Sequence, residues 1–396
     1  MIILSLLLLL KSISGIPNNF PTDGRVSVDV VDALWSRVPP STINSTESKA
    51  VLCSACSRGF TSLRFAALPF WPRDMNISNV TVMSNIWTAF DSLIVDAKSC
   101  NCTLIPSLFW NIFVLPDLFN ESLSLLMDTS QVSKARDAQD VLTNEFLTRY
   151  NNESIIVAWE LTNELNLLMD TNISSSQPLI CVACGTPPKR TLADNISTSM
   201  AVSWQSRLAN MLRSTSSPST TSNNNNNNSP IPSRLISSGH SIARPAARWL
   251  RESFIKPIPG PSWVIDTPLE FGESTALQNV GVDILSAHIY ADHDNGRWDH
   301  NTLSLLPLQT LFNVSIQLDM IFWLAEFGDN KNTSVSPHIW AYTVLNELAT
   351  WPTHQSRWSA SVWVWSFIGQ TNTFSFGPEK EDEEFVQTLQ KFNSRQ

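Results

Sequence analysis

Ser154-Ile155-Ile156-Val157-Ala158-Trp159-Glu160-Leu161-Thr162-Asn163-Glu164 is the stretch whose reading decides the fold. Residues 154–162 form a mostly apolar run, and Asn163 and Glu164 follow at its end. A strand with one wet face alternates apolar and polar residues, whereas a continuous run belongs to a strand buried on both faces. Working outward, runs of the same kind recur as SLRFAALPF (62–70), TLIPSLFW (103–110), RLISSG (234–239), DILSAHIY (283–290), IFWLAEF (321–327) and ASVWVWSF (360–367). Amphipathic stretches between them predict helices near 79–99, 132–150, 194–213, 268–279, 301–312 and 335–349. Buried strands alternating with helices make a parallel sheet. This many units in one chain predicts an α/β fold, a (β/α)8 TIM barrel in a single domain. A doubly wound open sheet is disfavoured, because no glycine-rich phosphate loop follows an early strand. The seven runs leave one strand to find. A helix is expected around 27–39, so the first strand is expected before it, within Met1–Phe20.

Those same residues carry a competing signal. Ile2–Leu10 is an apolar run too short to span a bilayer, and Ser12-Ile13-Ser14 offers a small-x-small cleavage pattern. Residues 1–14 therefore read as a signal peptide, and 15–396 as the folded domain. Asn-x-Ser/Thr sequons begin at Asn44, Asn76, Asn79, Asn101, Asn120, Asn152, Asn172, Asn195, Asn227, Asn313 and Asn332. That is roughly twice the number expected by chance, as in a glycosylated protein of the secretory pathway. The expected location is extracellular. The segment 214–233, with its run of asparagines, is a low-complexity insertion between a helix and the next strand, on the barrel's lower face.

Composition narrows the partners. Of 396 residues, 43% are hydrophobic, enough for a large core, and only 15% are charged. Lys+Arg 26 against Asp+Glu 35 gives −9, which argues against nucleic acid and anionic membrane. Tryptophan is over-represented, with Trp 15 against Tyr 3. Indole faces stack on sugar rings, so carbohydrate is the partner to test. Trp35, Trp87 and Trp340 lie in helical stretches and read as packing, whereas Trp110, Trp363 and Trp365 fall at strand ends.

The chemistry-bearing residues are also at strand ends. Asn163-Glu164 closes one buried strand, and Glu326, in Leu324-Ala325-Glu326-Phe327-Gly328, closes another three units later. Carboxyl ends of barrel strands point into the mouth where active sites sit. Two carboxylates converging there are what double-displacement glycoside hydrolysis requires, one attacking the anomeric carbon and the other protonating the leaving oxygen. An ionised Glu326 would make Glu164 hold its proton more tightly, because like charges disfavour double ionisation. Glu160 lies about 13 Å deeper along its strand and reads as a buried structural partner. His293, Asp294, Asp299 and His300 read as a solvated loop rather than a metal site; no metal or cofactor is expected.

From Arg64 to Trp365, in the identity and order of these motifs, the chain resembles glycoside hydrolase family 5. The resemblance implies Glu164 as acid/base and Glu326 as nucleophile. It implies that Asn163 bonds the sugar 2-hydroxyl and that Arg64 orients the nucleophile and keeps it ionised. His288-Ile289-Tyr290 matches the family's His-x-Tyr, with Tyr290 contacting Glu326 and His288 lining the site. Trp363-Val364-Trp365 matches its aromatic floor, either tryptophan serving as the platform. The chain departs from many family cellulases at Ser107-Leu108-Phe109-Trp110-Asn111, where those place a histidine, which tilts the expected β-1,4-linked polysaccharide from glucan towards mannan. A monomer acting on polysaccharide or oligosaccharide is expected. The rivals are a non-catalytic carbohydrate-binding barrel and an extracellular structural glycoprotein.

The six cysteines fall in pairs: Cys53/Cys56, Cys100/Cys102 and Cys181/Cys184. Zinc is the alternative for the C-x-x-C pairs, but no histidine lies nearby in sequence and an oxidising compartment would link them. In a barrel the first two pairs precede the second and third strands, so those four cysteines are expected to cross-link neighbouring lower segments. Cys181 and Cys184, on the upper face, are expected to bond each other.

Overall fold

The computed structural model describes residues 20, 23–39, 45–68, 79–172, 189–214, 234–255, 265–290, 304–328, 337–351, 358–362 and 383–393. Eight parallel strands close into a barrel in sequence order: β1 Asp23–Asp29, β2 Ser62–Ala66, β3 Thr103–Phe109, β4 Ala158–Thr162, β5 Leu235–Ser237, β6 Ile284–Tyr290, β7 Ile321–Gly328 and β8 Trp358–Val362. Pairing of Val26 with Ala360 and of Val28 with Val362 joins the last strand to the first. The helices that cover the sheet include α1 Ser45–Ser57, α2 Val80–Ser99, α3 Val114–Phe119, α4 Leu123–Met127, α5 Lys134–Tyr150 and α6 Thr198–Ser214. After β5 come α7 Ala247–Ile255, α8 Pro268–Gln278, α9 Leu306–Gln317, α10 Pro337–Thr350 and α11 Glu383–Asn393. No helix among the described residues is long and apolar enough to cross a membrane.

The barrel and six of the expected strands are as the sequence indicates; the last expected run overlaps β8, and its remainder, from residue 363, lies outside the described residues. The first strand is a correction. It lies at Asp23–Asp29, beyond Met1–Phe20, and takes over the start of the stretch expected to be helical from 27 to 39. Val26, Val28 and Val30 are buried at alternate positions, and β-branched residues pack well on a pleated surface. The intervening Ser27 and Asp29 are buried too, with Asp29 bonded to Arg64 inside the barrel. The strand leads into one turn of 3-10 helix at Trp35–Arg37 rather than a long helix. Helix α9 begins later than expected, with a proline in its first turn, where a missing N–H costs nothing.

Helix starts are capped by side chains. Asn79 accepts from the backbone of Thr81 and Val82, Ser133 caps α5, and Thr267 with Glu270 forms a capping box on α8. The outer core joins helices to the outward faces of the strands. A smaller apolar cluster fills the lower barrel interior: Ile105, Ala158, Leu235, Ile284, Ile321 and Trp323, with Phe20 packed edge-on against Trp323.

Four cysteines link two neighbouring segments, as Cys53–Cys100 and Cys56–Cys102, with Cα–Cα distances of 5.0 and 5.9 Å. Cys53 and Cys56 stand about one turn apart on α1 and face the turn after α2, where Asn101 adopts φ 59° between its two cysteines. Cys181, Cys184 and the insertion 215–233 lie outside the described residues.

Candidate active site

Two local irregularities aim the two glutamates. Strand β4 ends at Thr162, and Glu164 takes a left-handed conformation, φ 55°, which is uncommon for a residue with a Cβ. Its N–H donates to Gly239 O at 2.7 Å. Gly239 has φ +73°, and a Cβ there would stand 1.8 Å from Thr162 O, so only glycine permits this approach of the two loops. In β7 the register against β6 slips between the pairs Ala287–Leu324 and His288–Glu326. Trp323 already points into the barrel, so simple alternation would send Glu326 outward. The bulge shifts the parity and turns Glu326 inward.

Arg64 organises the interior. The side chain is fully buried, its guanidinium carbon 4.4 Å from the ring centroid of Trp110 and 5.9 Å from that of Trp323. Nε donates to both oxygens of Glu160 at 3.0 Å, and Nη2 to Glu160 Oε1 and Asn163 Oδ1 at 2.8 Å each. Nη1 donates to Glu326 Oε1 at 2.5 Å and to Asp29 Oδ2 at 3.3 Å. Burial alone would favour the neutral guanidine, but Glu160, Asp29 and Glu326 outweigh it and hold Arg64 firmly charged. Asp29, also fully buried, is pushed well above the usual carboxylate range, by burial first and then by Glu326 and Glu160, against the pull of Arg64.

Glu326 is engaged at both oxygens. Arg64 holds Oε1, and Tyr290 donates its hydroxyl to Oε2 at 2.8 Å. Burial raises the Glu326 carboxyl, and Glu164 adds to this; His288, Arg64 and the Tyr290 hydrogen bond oppose it. His288 sits between the two glutamates, with Nδ1 3.0 Å from Glu164 Oε1 and 3.4 Å from Glu326 Oε2. Burial lowers its pKa to about 4, so the ring is neutral at neutral pH. Glu164 has a side chain one-third exposed, whereas that of Glu326 is 3% exposed, so one carboxyl borders the mouth and the other lies at its floor. Burial also raises Glu164, opposed by Arg64, Ser241 and Arg244. Burial, rather than the charge of Glu326, is therefore the leading cause of that rise.

Carboxyl oxygens of Glu164 and Glu326 lie within 4.8 Å of each other, together with a nitrogen of His288. These three side chains are the group among the described residues that a metal could be asked to bridge. The fit is poor, because the arginine on Glu326 Oε1 would repel a cation and the phenol already occupies Oε2. The arrangement instead provides one solvent-bordering carboxyl with a raised pKa and one interior carboxyl held by two donors.

Glu160 is buried and bonded to Arg64 through both oxygens, the structural partnership its depth implied. Trp110, 6% exposed, lies against the guanidinium. Trp363, Trp365, His293, Asp294, Asp299 and His300 lie outside the described residues. Sequence reasoning missed Asp29, which recognition of β1 would have placed beside Arg64. It also missed His240, Ser241 and Arg244, which reach the site on the loop after a strand of only three residues.

No family model matches the sequence, and no curated protein matches it. Solved structures do match the fold. An endo-β-1,4-mannanase from Thermotoga petrophila aligns with a TM-score of 0.62 at 15% identity, covering 96% of this chain and 77% of its own. An endo-1,4-β-mannanase from Rhizomucor miehei aligns with a TM-score of 0.59 at 14% identity, covering 94% and 95%. A glycoside hydrolase family 5 mannosidase from the same organism reaches 0.55 at 11% identity, covering 93% and 92%.

Proposed function

We propose that this chain, a barrel with the glycoside hydrolase family 5 type of fold, is a retaining β-glycosidase. The carrying observation is the approach of Glu164 and Glu326 to within 4.8 Å. Retaining enzymes hold their two carboxyls about 5–5.5 Å apart, whereas inverting enzymes leave room between them for a water. In the first step Glu326 attacks the anomeric carbon while Glu164 gives its proton to the leaving oxygen. In the second, Glu164 takes a proton from water as that water displaces Glu326, so the two steps return both groups to their starting states. Arg64 and Tyr290 fix the nucleophile from either side, and Asn163, held by Arg64 Nη2, presents its amide to the sugar 2-hydroxyl. Either Trp363 or Trp365 is assigned as the sugar platform.

The proposed substrate is a β-1,4-linked polysaccharide, mannan ahead of glucan. The absent third-strand histidine supports this preference, as does the occurrence of endo-mannanases among the structural neighbours. Secretion is proposed with it. The sequon asparagines Asn79, Asn101, Asn120, Asn152, Asn172 and Asn313 are exposed, and two disulfides tie α1 to the end of α2.

A reducing-sugar assay on mannan, glucan, xylan and mixed-linkage β-glucan, with product sizing, tests the reading. Glu326→Ala and Glu164→Ala are each expected to lower hydrolysis of the preferred polymer by at least about a thousandfold, a loss of roughly 4 kcal/mol in transition-state stabilisation. Hydrolysis by both variants at the wild-type rate sinks the mechanism. Sugar binding without hydrolysis in the wild type supports the non-catalytic barrel instead.

A further inference from the structure

We propose that Arg244 is the floor of a leaving-group subsite that receives a carboxylate-bearing sugar, so that the preferred cleavage point is followed by a uronic acid residue. The proposal rests on the glycosidase reading and narrows its substrate to a β-1,4-linked polymer that carries uronic acid residues beside its mannose or glucose units.

The loop after β5 is tied to the loop after β4, which carries Glu164. Gly239 O accepts from Glu164 N at 2.7 Å, and Asn166 both accepts from Ser241 N at 3.0 Å and donates to Ser241 O at 2.8 Å. At the end of this double loop Arg244 Nε donates to Leu167 O at 2.7 Å, which fixes the plane of the guanidinium. Neither Nη1 nor Nη2 donates to any acceptor among the described residues. The side chain is half-buried, and Glu164 is the carboxylate whose charge reaches it. Arg64, the other arginine of the site, spends its donors on Asp29, Glu160, Asn163 and Glu326.

This placement works against the chemistry unless Arg244 has another task. A cation beside a general acid favours the ionised form, and Arg244 does pull Glu164 down against the rise caused by burial. While Glu164 holds the proton it must deliver, Arg244 has no counter-charge among the described residues. A half-buried cation in that state is desolvated without compensation. An anion on the substrate resolves both difficulties. It pairs with the free Nη edge, for which a planar carboxylate is the matching shape, and it cancels the cation's pull on Glu164. The groups facing Glu164 from the other elements are Arg64 on β2, His288 on β6 and Glu326 on β7, together with Ser241 on its own loop pair. None of them is a free cation. Because the acid protonates the departing oxygen, a ligand spanning Glu164 and Arg244 lies on the leaving side.

The test compares two leaving groups on one sugar: 3-carboxy-4-nitrophenyl β-mannoside and its methyl ester, with the β-glucoside pair in parallel. The wild type is expected to favour the acid over the ester in kcat/KM. Arg244→Ala is expected to lower that ratio by about tenfold or more, Arg244→Lys by less, and added salt to erode it in the wild type. Equal acid-to-ester ratios in wild type and Arg244→Ala overturn the subsite while leaving the glycosidase intact. If neither sugar is released by any form, the glycosidase reading fails separately. Calorimetric titration with glucuronic acid and with glucose then decides the subsite: binding of the acid alone, lost in Arg244→Ala, supports it, and indifference to the substitution overturns it.

Discussion

Replacing Tyr290 with phenylalanine isolates one hydrogen bond to the proposed nucleophile. The phenol donates to Glu326 Oε2 at 2.8 Å, while Oε1 is held separately by Arg64. The other polar atom near Oε2 among the described residues is His288 Nδ1 at 3.4 Å, which also lies 3.0 Å from Glu164 Oε1. Phenylalanine keeps the ring and its packing and removes only the hydroxyl. Because the hydrogen bond stabilises the carboxylate form, it lowers the pKa of Glu326, and its loss raises it. A hydrogen bond to a charged group contributes about 1.5–3 kcal/mol, which corresponds to a rise of about one to two pH units. The nucleophile must be ionised, so the acid limb of kcat/KM is expected to move to higher pH by that amount. Tyr290 does not titrate in this range, since burial and Glu326 push its phenol well above its ordinary value. The assay is kcat/KM against pH on an aryl β-glycoside, which reports free-enzyme groups, with thermal unfolding as the control for folding. An acid limb that stays in place while activity falls and the unfolding temperature holds would refute the assignment of Glu326 and Tyr290 as a nucleophile and its donor.

Two further outcomes concern a buried histidine and the disulfides. His240 is fully buried, neither ring nitrogen has a partner among the described residues, and burial followed by His288 lowers its pKa to about 3. The unfolded chain binds this proton near pH 6.5 and the folded chain does not, so stability rises with pH between those values and is lost on acidification. Between about pH 7.5 and pH 5 the contribution of His240 falls by about 2 kcal/mol. In denaturant titrations, His240→Leu is therefore expected to flatten the wild-type acid loss by about that amount, and an unchanged pH slope counts against it. The disulfides are redundant loop closures, with sequence separations of 47 and 46. While one remains, the other closes only a short residual ring, so paired Cys→Ser removal of either is expected to cost about 2 kcal/mol and removal of both about 6 kcal/mol. Additive costs measured by urea unfolding would contradict this.

Legibility in the sequence tracked how apolar each strand is on its interior face. Strands β2 to β7 are wrapped on both faces, so their runs are continuously apolar and visible without alignment. Strand β1 is equally buried but carries Ser27 and Asp29 on its interior face, because there it serves Arg64 rather than the apolar floor. Its Val-Ser-Val-Asp-Val-Val pattern then runs into Ala33-Leu34-Trp35 and reads as amphipathic helix. For the site, residue type and strand-end position led to Glu164 and Glu326, but not their directions. Those depend on a left-handed residue and a bulge, neither of which has a glycine to mark it. Arg244 and His240 were invisible because their proximity to Glu164 comes from pairing of the β4 and β5 loops, a tertiary event with no local pattern.

The interior charges bear on whether this barrel is a catalyst or a scaffold. Low in the barrel, facing positions are filled by Ile105, Ala158, Leu235, Ile284, Ile321 and Trp323. A step higher, the same strands and β1 bring in Asp29, Glu160 and Glu326 around the single guanidinium of Arg64, all fully or almost fully buried. Three carboxyls against one cation is a costly interior, and apolar residues of equal volume would be as stable or more so. Burial pushes the Asp29 carboxyl well above its ordinary range, which favours its neutral form and lowers the cost without removing it. A scaffold has no reason to keep such an arrangement, and a sugar-binding surface would need hydroxyl-matching donors rather than carboxyls crowded on one guanidinium. Carboxyls crowded at the C-terminal end of a barrel, over an apolar floor, suit the acid–base work at an anomeric carbon proposed above.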